Sequence, residues 1–154
     1  MKLIPLPIET QARLGKTHKL IVGFADLALL TSGTAQAVIP PNALGASSIT
    51  LPAGTQVESG AVANVTAAFT SSGGAITTLT LSLGDGGTAT KYVNAADLKT
   101  AGYVAGGTTP NLYTAADTID IVATITGQTL ASLNAGEVEL LLNIRPVNDA
   151  AAVR

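Results

Sequence analysis

From Thr78 to Leu83 the chain alternates strictly, Thr78, Thr80 and Ser82 with Leu79, Leu81 and Leu83, and this period of two restricts the fold more than any other feature. Only an extended strand sends successive side chains to opposite faces. The same period runs from Thr55 to Thr70, with Val57, Ala61, Ala63, Val65, Ala67 and Phe69 on one face and Gln56, Glu58, Asn64, Thr66 and Thr70 on the other. This region is predicted as one long strand or two joined near Gly60. Ile119, Ile121, Ala123 and Ile125 alternate with Asp120, Val122 and Thr124, and Val138, Leu140, Leu142 and Ile144 alternate with Glu139, Leu141, Asn143 and Arg145. Strands with one apolar face must bury that face against another layer, so two sheets are expected to stack.

The connections carry the chemistry of turns. Pro40, Pro41 and Asn42 predict a turn, SSITLPAGT a short strand stopped by Pro52 and Gly54, Ser71 to Gly74 a hairpin-like turn, and GDGGTAT a loop. Lys91 to Val93 reads as a short strand. NAADLKTAG reads as one small helix, with Asn94 as N-cap and Gly102 as the stop, followed by a loop, GYVAGGTTPNLYTAA. Gly127 to Gly136 is a turn region. Residues 20 to 30 are apolar on both strand faces, Ile21, Ala25, Leu27 and Leu29 against Leu20, Val22 and Phe24, which predicts a strand buried on both sides. The expected fold is all-β: a single antiparallel β-sandwich with one short helix and an extended N-terminal arm. The arm is residues 1–19, the sandwich 20–146 and a C-terminal tail 147–154.

The 154 residues suit one domain with a sizeable core. There is no cysteine and a single histidine, His18, which excludes disulfides, thiolate nucleophiles and a histidine-based metal cluster within one chain. Only 12% of residues are charged, with 26 Ala, 21 Thr and 16 Gly filling much of the chain. The net charge of −2 divides unevenly. Lys2, Arg13, Lys16 and Lys19 against Glu9 give residues 1–20 a local +3, and the remainder, four basic against nine acidic residues, is −5. Four dispersed cations without interleaved aromatics do not make a nucleic-acid surface. They are read instead as contacts of the arm with an acidic protein surface, the ordinary alternative being a solvated terminus. Pro5, Pro7 and Glu9 interrupt the apolar start, so no secretory signal is expected, and no stretch is long and apolar enough for a membrane helix. A soluble protein made in a cytoplasm is expected.

Chemical motifs are sparse. Gly15-Lys16-Thr17 lacks the earlier glycine of a phosphate loop, where Thr10 stands, and lacks the preceding strand. His18, placed in the arm, reads as a solvated histidine rather than a base. Asp85-Gly86-Gly87 offers one carboxylate where calcium takes six to eight oxygens, so a tight turn explains it. Asn64-Val65-Thr66 matches a glycosylation acceptor but lies within a strand. Tyr92, Tyr103 and Tyr113 fall in loops, where they could line a sugar-binding groove or anchor the loops. No catalytic residue and no cofactor are assigned, and the chain is not read as an enzyme; a glycan hydrolase would need a pair of carboxylates that the sequence does not single out.

Taken in order, the segments ITLPAGTQVESGAVANVTAAFT, TLTLSLGDGG, KYVNAADLKTAG, YTAADTIDIVATITG and AGEVELLLNI resemble the small all-β decoration, or cement, proteins that coat the heads of tailed bacteriophages. The resemblance covers about residues 20 to 146 and rests on strand and turn punctuation. It implies a jelly-roll-like body, self-association as a homotrimer, and binding of the major capsid protein at capsomer junctions on the outside of an assembled virion shell. Residues 1–19 lie outside the resembling part, and Lys2, Arg13, Lys16 and Lys19 are the candidate capsid contacts from the charge and proline content of the arm. Low charge and a mean hydropathy of +0.42 agree with association. The alternative is a phage appendage or tail-associated β-sandwich that binds a host-surface glycan through Tyr92, Tyr103 or Tyr113.

Overall fold

A computed structural model of the chain describes residues 2–9, 15–37, 50–107 and 110–147. In chain order it has β1 (Lys2–Pro5), β2 (His18–Gly23), a one-turn helix α1 (Phe24–Leu27), β3 (Gln36–Ala37), β4 (Thr50–Leu51), β5 (Thr55–Val57), β6 (Val62–Ser71), β7 (Thr78–Asp85), β8 (Val93–Asp97), β9 (Gly102–Ala105), β10 (Asn111–Leu112) and β11 (Asp117–Thr126). A short 3-10 turn (Leu130–Ser132), β12 (Leu133–Leu142) and β13 (Ile144–Pro146) complete it.

All the strand pairs are antiparallel, and the pairing is nested: β2 pairs β12, β3 pairs β11, β6 pairs β9, and β7 pairs β8. Because β12 also pairs β6 and β11 also pairs β7, the nested hairpin rolls into two sheets, β1-β2-β12-β6-β9 and β3-β11-β7-β8. This is the strand order of a jelly roll, with β1 added at one edge. A third, small sheet, β10-β5-β13, closes one end, and β4 pairs β11. On the inner face of the first sheet Leu20, Leu140 and Ala63 stand abreast, and beside them Val22, Val138 and Val65. The second sheet answers with the cross-strand pairs Leu79–Ile125, Leu81–Ala123 and Leu83–Ile121. These side chains, with Phe69, Leu27, Leu98 and others, form one buried cluster. The all-β sandwich expected from the alternation is therefore the fold.

Several local expectations are corrected. The strand at residues 20–30 stops at Gly23, whose N–H donates to the Asp26 carboxylate at 2.9 Å as one helical turn begins. That turn breaks the parity, so Leu27 enters the core while Leu29 is 85% exposed, and the segment is not buried on both sides. Ser71 to Gly74 is not a hairpin: it carries the chain from the first sheet to the second. The helix expected after Asn94 is strand β8, where Leu81 faces Ala96 and Leu83 faces Val93. Ala95 there has φ 49°, and its N–H donates to Ser82 Oγ at 2.9 Å. This irregularity puts the buried residues at Val93, Ala96 and Leu98, which interrupts the strict alternation of a strand. The loop expected after it contains β9 and β10. Of the two readings of residues 55–71 the structure has the second, two strands, β5 and β6, separated around Gly60, but Ala67 is exposed because register shifts in the β6–β12 pair interrupt the alternation there. Ile144 belongs to β13 in the small sheet rather than to β12. The turn expected at Pro40, Pro41 and Asn42 lies outside the described residues.

Candidate functional site

Strand parity puts Asp85 on the core face of β7, two residues beyond Leu83, so the strand delivers a carboxylate to the end of the apolar interior. Asp85 is 1% exposed. A buried carboxylate is tolerated only where donors surround it. The β7–β8 turn supplies two of them: Oδ1 accepts the N–H of Thr88 at 2.7 Å and of Gly87 at 3.1 Å. The turn is so tight that a Cβ on Gly84 would stand 1.9 Å from the Thr88 carbonyl oxygen, which explains the glycine there. Oδ2 accepts the phenol of Tyr113 at 2.7 Å and an ion-paired hydrogen bond from the Lys91 ammonium. The two phenols of Tyr92 and Tyr113 touch, and the Lys91 ammonium lies 5.8 Å from the centre of the Tyr113 ring.

Burial pushes the Asp85 carboxyl up, but the hydrogen bonds from Lys91, Tyr113 and Thr88, together with the lysine charge, outweigh it and hold the group below its ordinary value. Burial raises Tyr92 to about 12, and it raises Tyr113 further, helped by Tyr92 and the Asp85 charge. The cluster is thus a buried carboxylate with an amine and two neutral phenols, positioned by β7, the β7–β8 turn and the β10–β11 segment. Backbone bonds fasten it to the small sheet: Tyr113 N–H donates to Thr55 O at 2.9 Å, and Gly54 N–H donates to Tyr113 O at 2.7 Å. A shallow cleft of about 380 Å³ is lined by Tyr113 together with Ala53, Gly54, Leu112, Thr114 and Val147.

The tyrosines therefore do not form a common groove. Tyr92 and Tyr113 are buried, and Tyr103 on β9, at the edge of the first sheet, is 76% exposed. His18 is not a solvated side chain of a free arm. It opens β2 opposite Leu142 and Pro5, is half-buried, and shares a 2.8 Å hydrogen bond with Thr17 Oγ1 through Nδ1. Burial lowers its pKa. Among the described residues, no group of three His, Asp or Glu is placed to hold a metal ion, and no helix is long and apolar enough to cross a membrane.

Of the four candidate contact cations, the described residues include three. Lys2 opens β1, and Arg13 lies outside the described residues. The Lys16 ammonium lies against Gly60, 3.4 Å from where a Cβ on that residue would stand. Lys19 is paired with Glu139 at 2.8 Å, so its charge is met within the chain. Register instead reveals a surface that the sequence did not single out. On the outer face of the first sheet Ile4, Lys19, Leu141, Val62 and Ala105 lie side by side across all five strands, and the next row holds Ile21, Glu139, Asn64 and Tyr103. Leu141 is buried on this outer side, separate from the core cluster. The signal was present in β12, where Leu140, Leu141 and Leu142 interrupt the apolar–polar alternation.

Compared with known protein families, curated proteins and solved structures, the chain finds no match in any of the three.

Proposed function

We propose that the chain is a structural virion protein, a phage decoration protein that associates with itself as a homotrimer and reinforces a capsid from outside by binding the major capsid protein. The observation that carries this reading is the outer face of the first sheet: apolar side chains of four strands in adjacent register, an exposed Tyr103 at the rim, and one ion pair, Lys19–Glu139, across it. A flat surface of apolar groups with an aromatic and a few satisfied polar groups is suited to protein contact. The jelly roll itself supports the reading only by analogy, since the same architecture serves in capsid and lectin domains. Glycan binding retains only Tyr103 as an exposed tyrosine platform.

The test is co-sedimentation of the purified chain with undecorated heads assembled from the major capsid protein that this reading makes its partner. Saturable binding that Tyr103→Arg or Val62→Glu weakens at least tenfold is expected. Unchanged binding by both variants, or no binding at any concentration, overturns the proposal. Deleting residues 1–19 is a poor probe of the arm, because it removes His18 and Lys19 from β2. Lys2→Gln, Arg13→Gln and Lys16→Gln test the arm charges without cutting a strand.

A further inference from the structure

The two oxygens of Asp85 are held in different ways. Oδ1 points at two backbone N–H donors, Thr88 at 2.7 Å and Gly87 at 3.1 Å, the distances at which amides stabilise an oxyanion. Oδ2 carries the Tyr113 phenol and contacts the Lys91 amine nitrogen. A carboxyl group so placed has an amine and an acid in contact with the oxygen that would leave, and donors for developing negative charge on the oxygen that stays. The Asp-Gly sequence offers a second nucleophile, the Gly86 nitrogen, but its N–H donates to Asp117 Oδ1 at 3.1 Å on another strand and is held there.

We propose that Asp85 and Lys91 form an intramolecular amide cross-link that closes the β7–β8 turn covalently. The resting pair is ionised, and the reactive tautomer arises when one proton passes from the Lys91 ammonium to Asp85 Oδ2. The amine lone pair then attacks Cγ, and the negative charge collects on Oδ1 between the Gly87 and Thr88 amides. The nitrogen gives up a second proton, relayed by the Tyr113 phenol to Oδ2, the Cγ–Oδ2 bond breaks, and water leaves. One C–N bond forms and one C–O bond breaks. Nothing is oxidised or reduced, and no co-reactant is consumed. The fold holds the partly exposed Lys91 amine in contact with Asp85, which replaces a bimolecular encounter by an intramolecular one, and burial of Asp85 and Tyr113 keeps bulk water from the carboxyl carbon. Tyr113 is the acid and base of this reaction, and Tyr92 positions it.

The experiment is intact-mass measurement of the denatured full chain, aged at neutral pH, followed by tryptic mapping. A species lighter than the sequence mass by one water is expected to accumulate, in which trypsin fails to cut after Lys91, so that the peptide carrying Asp85 runs on to Lys99. Full mass with normal cleavage after Lys91 overturns the proposal and leaves an ion pair. Loss of one water with cleavage after Lys91 intact also overturns it, since that marks ring closure at Asp85-Gly86. Lys91→Arg keeps the charge, and its mass should stay at the full value; a water loss that persists in this variant counts against the cross-link. Tyr113→Phe, checked for a native circular-dichroism spectrum, should slow the accumulation by about 10²-fold, and an unchanged rate removes Tyr113 from the step.

Discussion

The Tyr113 phenol donates to Asp85 Oδ2 across 2.7 Å, although the two residues are 28 apart in the chain. The bond ties the last residue of β7 to the segment between β10 and β11, and through the backbone of Tyr113 to the small sheet that caps this end of the sandwich. With Lys91 and the amides of Gly87 and Thr88, it gives the Asp85 carboxylate the donors that a buried charge requires.

Tyr113→Phe removes one of those donors and leaves the buried Tyr92 hydroxyl without its phenolic neighbour. A loss of about 1–3 kcal/mol in unfolding free energy is expected, and Asp85→Ala should cost more because it strips the acceptor from Lys91 and Tyr113 together. Urea titration of the two variants checks the order. If Tyr113→Phe proves as stable as the parent chain, the bond is not holding the end of the sandwich.

Stability should have a plateau in pH. His18 is shifted down by burial, so its contribution is present above its ordinary value of 6.5 and is lost as pH falls through the lower folded value. In the chain before cross-linking Asp85 is also shifted down, so its share is lost further into acid, below its ordinary 3.8. Tyr92 is shifted up to about 12, so its share is present below 10 and is lost as pH rises toward 12. The melting temperature should therefore be highest between about pH 7 and 10. His18→Gln should flatten the first part of the acid decline, and an identical profile in that variant would assign the decline to other groups.

Phe69 and Gly136 make a paired test of the core. A Cβ on Gly136 would stand 2.3 Å from Phe69 Cγ, and Gly136 has φ 126°, which disfavours any side chain. Phe69→Ala should cost about 3–5 kcal/mol from lost burial and the cavity it leaves. Gly136→Ala should cost about 1–3 kcal/mol in the parent chain from backbone strain and crowding. In a Phe69→Ala background the crowding by the ring disappears while that by the Phe69 backbone, 2.7 Å away, stays, so the two changes should be less than additive. Strict additivity in a double-mutant cycle would show that the ring and the glycine are not in contact.

Sedimentation equilibrium across micromolar concentrations should reveal an oligomer, with the trimer as the expected species. Tyr103→Arg or Val62→Glu, on the outer face of the first sheet, should shift the chain toward a monomer of 15.3 kDa if that face carries the self-contact. A monomer in the parent chain at every concentration would confine association to the shell.

The chain by itself determined that it would be an all-β sandwich, because strict alternation at Leu79, Leu81 and Leu83 and at Ile119, Ile121, Ala123 and Ile125 is compatible only with strands that bury one face, and local sterics fix that period without reference to the rest of the fold. It misled where one residue departed from the regular backbone. Ala95 interrupted the alternation of β8, so that the cap-like Asn94 and Gly102 read as the ends of a helix, and the single turn at Asp26 rotated Leu27 inward against the strand parity. What only the tertiary structure decided was which strands meet. The nested pairing brings Asp85, Lys91, Tyr92 and Tyr113 to one end of the interior and sets Ile4, Leu141, Val62 and Tyr103 on one outer face. Both are long-range juxtapositions, and a local period carries no information about the partner that a strand acquires from across the sheet.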